Sequence, residues 1–540
     1  MKRLILILAA LLFVAVSCSK VRIHQAQVLS QAQIDEHNGK IKPGSEDPGT
    51  DPGTDPGTDP GTDPGTDPGT DPGTDPGTDP PVTITEYYVS VDGSGNKTGA
   101  DAANALDLAA FKTVASGTDA SGKPFHFAAG TYPLGNLRIE SASEIKFIGG
   151  AGVVFSGEGS SRILTLGGGV NFTVEDCTFS DGYSSSHGGA IYADNCTLTM
   201  KGCTVKDNKT DTATQRNDNN GAAVYLGKEM VKASFASCVF SGNRIVTTST
   251  DQWGAAVRIE PSTNGNDVEF EDCVFQGNFA KQASCISVNQ KTRLKINRCL
   301  FEGNSANSRG MIQIANCVVF INASTFHGNS TSDNNGWGVD IHGKGYLCLN
   351  NCTVYGNTNA STTAGNNNVA MNGYHSLLMT NCTVIESNQL GLLRIDDAAG
   401  KQVLCNNILI NTSGKPVLVG NTSAESVSGG HNAMSAGAFD PFTPAASDLL
   451  TCTEASFGGG AYSDGAFTWN GTLEGFTKAS PETVNTVISE KFNVSLSGVM
   501  NNIGEAFQEW LGSLSPSGLT TDGRSKPRTG SSWWPGAYQN

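Results

Sequence analysis

Four side chains in the second half of the chain could carry acid–base chemistry on a sugar. Asp340 and His342 lie two residues apart, and Arg394 and Asp396 repeat that spacing further along. If the two pairs lie on equivalent strands two coils apart, the two carboxylates are roughly 9.6 Å apart, at twice the usual strand spacing. That separation is near the upper end of the range for inverting glycosidases. A lyase would instead use His342 as the base, with Arg394 holding an acidic sugar.

A second set of side chains is suited to binding sugars. Aromatic rings stack on sugar faces, and carboxylates, amides and guanidinium groups bind hydroxyls. Aligning the repeats predicts two outward columns, with Asp340 and Arg394 in the first, and His342 and Asp396 in the second. The predicted binding residues in these columns are Tyr192, Tyr225, Arg258, Glu260, Asn289, Gln313 and Asn372. Binding is favoured over catalysis, since a fold alone confers no activity.

A repeat positions these residues. A six-residue pattern begins at Cys203, Cys238, Cys273, Cys299 and Cys352: Cys, then Thr, Val or Leu, then Phe or Val, any residue, Gly or Asp, and Asn. With variant copies included, successive units begin 25 to 35 residues apart, which gives about nine units of one architecture. Ahead of each copy, apolar and polar residues alternate, as in residues 268–271, and this period of two predicts a strand.

Each unit carries a further strand that begins with small residues, as in residues 188–192 and 221–225. One coil per unit predicts an all-β fold, a right-handed parallel β-helix with short helical caps. The caps are expected within residues 101–116, with Leu106, Ala109, Ala110 and Val114 on the buried side, and from Ser480-Pro481-Glu482 onward. Stacked coils are expected to align Phe240, Phe275, Phe301 and Phe326 inside, and to align the repeated asparagines into a ladder.

Cysteine use favours a packed solenoid over a disulfide framework. Of the 14 cysteines, seven fall in one repeat column, where thiols are expected to face the core as small apolar groups. These are Cys177, Cys203, Cys238, Cys273, Cys299, Cys352 and Cys382. No zinc site is expected, because the chain has no paired Cys-x-x-Cys motifs. No cofactor is expected either, and calcium is the one ion that the many aspartates leave open.

The first 81 residues predict that the protein is exported and that a stalk links its folded part to a membrane lipid. Lys2 and Arg3 precede 13 apolar residues, 4–16, and Cys18 follows, which resembles a bacterial lipoprotein signal. In that family the chain is cut before the Cys, so Cys18 is the expected lipidation site. From residue 47 to 78 the tetrapeptide Asp-Pro-Gly-Thr occurs eight times, which predicts an extended, disordered stalk.

The repeats also resemble those of a known family. Residues 188–191 and 240–243 are similar to the Gly-Gly-Ala-Ile and Phe-x-x-Asn motifs of polymorphic outer-membrane proteins, within the pectate-lyase-like β-helix superfamily. Residues 87–93 are similar to the first turn of extracellular β-helix proteins, and residues 522–538 resemble the closing segment of exported β-helix lipoproteins. The resemblance implies a repeat architecture over residues 87–538 and no fixed catalytic set.

These features predict four regions: a lipoprotein signal peptide (1–18), a disordered linker (19–81), the parallel β-helix (82–412), and its C-terminal end and cap (413–540). The favoured function is an outer-membrane lipoprotein, on the cell surface or the periplasmic face, that binds a polysaccharide or a host glycoprotein as an adhesin-like rod. The alternative is an extracellular polysaccharide lyase or glycoside hydrolase. A net charge of −16 argues against nucleic acid as a partner. Lipid is the only membrane contact expected, and a monomer is expected.

Overall fold

The computed structural model describes residues 83–211, 220–246, 252–262, 264–332, 338–359, 367–371, 376–395, 401–420, 425–435, 442–457, 462–463, 466–467, 476 and 478–486. The fold below is that of the unit Ile84–Asn540. The signal peptide with Cys18, the stalk, Asn372 and Asp396 lie outside the described residues. Within the described residues, no helix has the length and apolar character needed to cross a membrane.

Short parallel strands wind into a solenoid, which confirms the all-β prediction from the alternating pattern. A full coil has up to four strands, named here strands one to four in chain order. Strand one occurs as Leu137–Ile139, Leu164–Leu166, Ile191–Ala193, Val224–Leu226, Val257–Ile259, Ile286–Val288, Asn367–Met371, Leu393–Ile395 and Leu418–Gly420. Strand two occurs as Tyr87–Val89, Lys123–Phe127, Glu144–Ile148, Asn171–Glu175, Thr197–Lys201, Lys232–Ala236, Asn266–Glu271, Thr292–Asn297, Ser376–Thr380, Lys401–Cys405 and Glu425–Gly430.

Two longer strands, Ile312–Asn322 and Gly338–Asn350, run through positions one and two and join both into one 22-stranded sheet. Strand three forms a 13-stranded sheet from Gly130–Pro133, Val153–Ser156, Thr178–Ser180, Thr204–Lys206, Val239–Ser241, Val274–Gln276, Leu300–Glu302, Thr325–His327, Thr353–Tyr355, Thr383–Glu386, Ile408–Asn411, Ala433–Ser435 and Leu449–Cys452. Strand four occurs as Tyr183–Ser184, Lys209–Thr210, Arg244–Ile245, Phe279–Gln282, Ser305–Ser308, Ser330–Thr331 and Thr358–Asn359. Tyr462–Ser463 pairs antiparallel with Ala466–Phe467.

Helical segments flank the coils. The first α-helix, Leu108–Ser116, begins after Asp107, whose carboxylate accepts a hydrogen bond from the Ala110 N–H. Its fully buried residues are Phe111 and Ala115, whereas Ala109, predicted on the buried side, is exposed. The second α-helix, Pro481–Thr486, begins as predicted, because the Ser480 hydroxyl accepts a hydrogen bond from the Thr483 N–H. Single 3₁₀ turns occur at Ala102–Asn104, Thr118–Ala120 and Glu454–Phe457.

The interior is built from columns of identical residues, as the repeat predicts. The Phe275 and Phe301 rings stack at 4.7 Å between centroids, and Phe301 stacks on Phe326 at 4.6 Å. All 13 described cysteines are buried free thiols, which confirms their predicted place in the core. Close packing of like side chains on successive coils gives one large core along the described coils, with two small apolar clusters beside it.

The asparagine ladder is also confirmed. Each rung from Asn208 to Asn304 donates its backbone N–H and its Nδ2 to the Oδ1 of the next rung, at 3.0–3.2 Å. The ladder residues are buried, and their amides satisfy the backbone where the chain turns between strands three and four. Asparagine suits this position because one amide supplies both an acceptor and donors.

A single left-handed residue turns the chain between strands two and three of most coils. Its φ lies between 48° and 61°, a region that costs energy for residues other than glycine. The position is occupied by Asp176, Gly202, Ser237, Asp272, Arg298, Ala323, Asn351, Asn381, Asn406 and His431. Asparagine, aspartate and glycine tolerate this conformation best, so Ala323 is a strained member of the column.

Candidate functional site

The register of strand one decides which predicted residues lie together. Successive coils align one set of backbone positions, here called the strand-one column. Its members are Arg138, Thr165, Tyr192, Tyr225, Arg258, Ser287, Gln313, His342, Ala370 and Arg394. The sequence prediction therefore holds for the position of the tyrosines, Arg258, Gln313 and Arg394 in one column.

Asp340 is not in this column, so its predicted position is wrong. His342 pairs with Gln313, whereas the backbone carbonyl of Asp340 accepts a hydrogen bond from the Met311 N–H. Met311 belongs to the core, and Asp340 is itself fully buried. The cause is a register irregularity between Gly338 and Ile341, which moves the outward position two residues along from where the sequence alignment put it.

The second outward column is also shifted in this coil. Lys344, not His342, follows Ala315 in the register. Lys344 is exposed, which adds a cation to the face. Glu260 and Asn289 occupy their predicted positions after strand one and are half-buried.

The polar groups of several predicted binding residues form hydrogen bonds with other side chains of the protein. Arg258 donates from Nε to Glu260 at 2.9 Å and from Nη1 to the Ser287 hydroxyl. Ser287 in turn donates to Gln313 Oε1 at 2.8 Å. Arg258 is 7% exposed, Gln313 is 6% exposed and Tyr225 is 7% exposed. These residues therefore hold neighbouring side chains of the strand-one column in place, and they expose little surface to a ligand.

A further set of residues, which the sequence analysis missed, lies immediately before the glycine that precedes strand one. These pre-glycine residues are His187, Asn220, Trp253 and Arg309. The first three are joined along the solenoid: the Asn220 N–H donates to His187 Nδ1, and the Trp253 N–H donates to Asn220 Oδ1. Their position before Gly188, Gly221, Gly254 and Gly310 is the sequence signal that could have identified them.

Pre-glycine residues and column residues contact each other through rings and guanidinium groups. The Arg309 guanidinium lies 4.6 Å from the Trp253 ring centroid, and that of Arg258 lies 5.9 Å from it. Tyr225 stacks on both Tyr192 and His187, with centroids 5.2 and 4.2 Å apart. Trp253, Arg309 and Tyr192 are half-buried, so each retains surface for a ligand.

Positive charge concentrates around His342. Burial, together with the positive charges of Arg309, Arg394 and Lys344, lowers the pKa of His342 to about 3. The imidazole is therefore neutral at physiological pH, in a cationic environment. Arg394 lies two coils beyond His342 in the column and is half-buried.

Asp340, one carboxylate of the predicted acid–base pair, does not lie on this face. Asp340 is buried inside the coil, and Asp396 lies outside the described residues. Among the described residues, no three His, Cys, Asp or Glu side chains are placed to share a metal ion. The chemistry that this face offers is thus that of a neutral imidazole, arginines, a lysine and aromatic rings.

Comparisons with known proteins concern mainly the architecture. No curated protein matches the chain. A solved structure, described as a mannuronic acid specific polysaccharide family 6 lyase enzyme from human gut microbiota, is similar over 79% of this chain and 99% of that chain, with 15% sequence identity and a TM-score of 0.39. Residues 135–306, which include strand one from Leu137 to Val288, match the family model described as the right handed beta helix region.

Proposed function

We propose that the protein binds an acidic polysaccharide along the strand-one column, as an adhesin-like rod. The observation that carries the proposal is the row of cations and aromatic rings on this one face: Tyr192, Trp253, Arg309, Lys344 and Arg394. Aromatic rings can stack on sugar rings, while guanidinium groups bind carboxylates through paired hydrogen bonds.

The sign of the charge favours an acidic ligand over a neutral one. The chain as a whole has a net charge of −16, yet Arg309, Lys344 and Arg394 all act on the one imidazole of His342. A bound carboxylate would offset this positive field, and a neutral sugar would not. Tyr192, Trp253 and Arg309 lie in different coils, so the face suits a chain of several sugar units.

The N-terminal predictions complete the proposal. Cys18 would carry the lipid, and the Asp-Pro-Gly-Thr repeats would hold the solenoid away from an outer membrane. A tethered binding face raises the effective concentration of its ligand near the membrane surface. The face requires no cofactor for binding.

Retention of the full-length protein in native gels containing polysaccharides tests the proposal. Acidic polymers should retard the wild type, and Arg309→Gln should lose most of this retardation. Arg244→Gln is the matched control, because Arg244 is an exposed arginine of strand four that also lies over an aromatic ring, that of Phe279. Equal loss in both variants, or no retardation by any acidic polymer, would count against this face.

A polysaccharide lyase is the second candidate, and the state of His342 favours it over a hydrolase. A lyase base removes the proton next to the sugar carboxylate, and cations stabilise the charge that develops there. His342 is neutral and lies among three cations, and a carboxylate bound to Arg394 would raise the pKa of the imidazole towards a working value. Formation of unsaturated sugar products by the wild type, and not by His342→Ala, would establish this activity.

A further inference from the structure

The asparagine ladder ends at an acidic residue. Asn357 donates its backbone N–H and its Nδ2 to Glu386, at 3.0 and 2.9 Å, in the way that earlier rungs donate to the next asparagine. Both hydrogen bonds end on the same atom, Oε1. Glu386 therefore occupies the next rung, at the end of Thr383–Glu386, and it is 5% exposed.

A rung must donate as well as accept. Asn357 Nδ2 also donates to the Phe326 carbonyl at 3.0 Å, and Asn304 Nδ2 donates to the Phe275 carbonyl at 2.8 Å. An ionised carboxylate has no donor, whereas a protonated carboxylic acid has one O–H group. Oε1 accepts as the amide oxygen of an asparagine rung does, and only the neutral acid also keeps a donor, the O–H on its other oxygen.

A second buried carboxyl lies near this rung. Asp340 is fully buried, and its negative charge acts on both Glu386 and the thiol of Cys285. Two carboxyls in one low-dielectric interior cannot both ionise without a large cost. Among the described groups that act on Glu386, Asp340 is the only other titratable one, and Asn357 supplies the neutral donors.

We propose that Glu386 is a neutral carboxylic acid at physiological pH and serves as a pH-sensitive rung of the ladder. When it ionises, the rung loses its donor and places a second negative charge beside Asp340. The coils around Thr353–Tyr355, Thr383–Glu386 and Ile408–Asn411 then lose stability, because a solenoid depends on contacts between neighbouring coils.

The direction of the titration agrees with this geometry. Burial, and then the charge of Asp340, raise the pKa of Glu386 from 4.5 to about 8, although the hydrogen bonds from Asn357 lower it. The folded state therefore keeps a proton that the unfolded chain releases near pH 4.5. Stability falls as the pH rises through this window and levels off above about pH 8.

Thermal unfolding of the full chain from pH 5 to pH 9 tests the proposal. The wild-type melting temperature should fall relative to that of Glu386→Gln as the pH rises, by a few degrees in all. Gln keeps an acceptor and a donor but cannot ionise. Comparison of the two proteins cancels the titration of His342 and of all other shared groups, and the exposed Glu454→Gln controls for loss of one charge. Asp340→Asn should move the upper end of the window to lower pH.

Infrared spectroscopy provides an independent readout. The wild type should show the C=O band of a buried protonated carboxyl at pH 6, and the band should disappear by pH 9. Parallel melting curves for wild type and Glu386→Gln over the whole pH range would overturn the proposal. Absence of the band from the wild type at pH 6 would overturn it too, whether or not the variant folds.

Discussion

Replacement of Asn278 by alanine should destabilise the solenoid more than any surface change in the same coil. The Asn278 side chain takes part in four hydrogen bonds: Oδ1 accepts two from Asn243, and Nδ2 donates to Asn304 Oδ1 and to the Phe240 carbonyl. At a net value of about 1 kcal/mol for each bond, their loss costs about 4 kcal/mol. The partner atoms that remain are buried, so they cannot all recover their bonds from bulk water.

The measurement is the free energy of unfolding from urea titration of the full chain, followed by circular dichroism. Gln276→Ala is the control, because Gln276 lies in the same coil, is exposed, and its side chain donates one hydrogen bond of 3.3 Å, to Glu302. The control should change stability by no more than about 0.5 kcal/mol. Unfolding of the two variants at the same urea concentration would show that the ladder does not stabilise the coils.

Two further predictions concern the turn column and the thiols. Ala323→Gly should stabilise the protein by about 0.5 kcal/mol, since Ala323 has a φ of 48°. The control Ala233→Gly, in an extended strand, should destabilise it. Equal losses in the free energy of unfolding, measured by urea titration, would contradict this prediction. The 13 described cysteines are all buried, and burial raises the pKa of Cys196 and Cys317 to about 12, so these 13 thiols should resist a thiol reagent at pH 8 and react after unfolding. Rapid labelling of any of the 13 in the native protein would show that the core is open.

The fold was predictable because the residues that stack in one interior column occupy the same position in each repeat of the sequence. Phe275, Phe301 and Phe326 recur at the same offset from the start of each repeat, and only one way of stacking the coils brings such residues together. The asparagine ladder was predictable for the same reason, since its asparagines also recur at a fixed offset from the start of the repeat. Local alternation of apolar residues then fixed the faces of the strands.

The site was predictable only in part, because register depends on packing that the local sequence does not record. Glycines at 336 and 338 allow two alignments of the coil that holds Asp340 and His342, and they differ by two residues. The structure has His342 in the outward column and Asp340 in the interior. The alternation rule could not decide, because a shift of two residues preserves it.

Residues outside the strands were the other omission. Trp253 and Arg309 precede the small-residue motif by one position, whereas the alternating pattern that predicts the outward columns covers only the residues after it. Glu386 was overlooked because the position at which the asparagines recur is Ser387, one residue further along, so its place in the ladder is visible only in the structure. Exceptions to a repeat are thus as informative for function as its regular positions.

The most direct test of acidic-glycan binding compares one polymer in two chemical forms. Full-length protein would be titrated calorimetrically with a uronic acid polymer and with the same polymer after its carboxyl groups are reduced to alcohols. The account predicts binding of the acidic form, weakened by salt and by Arg309→Gln, and little binding of the reduced form. Equal binding of both forms, or binding of the acidic form that Arg309→Gln leaves unchanged, would contradict it.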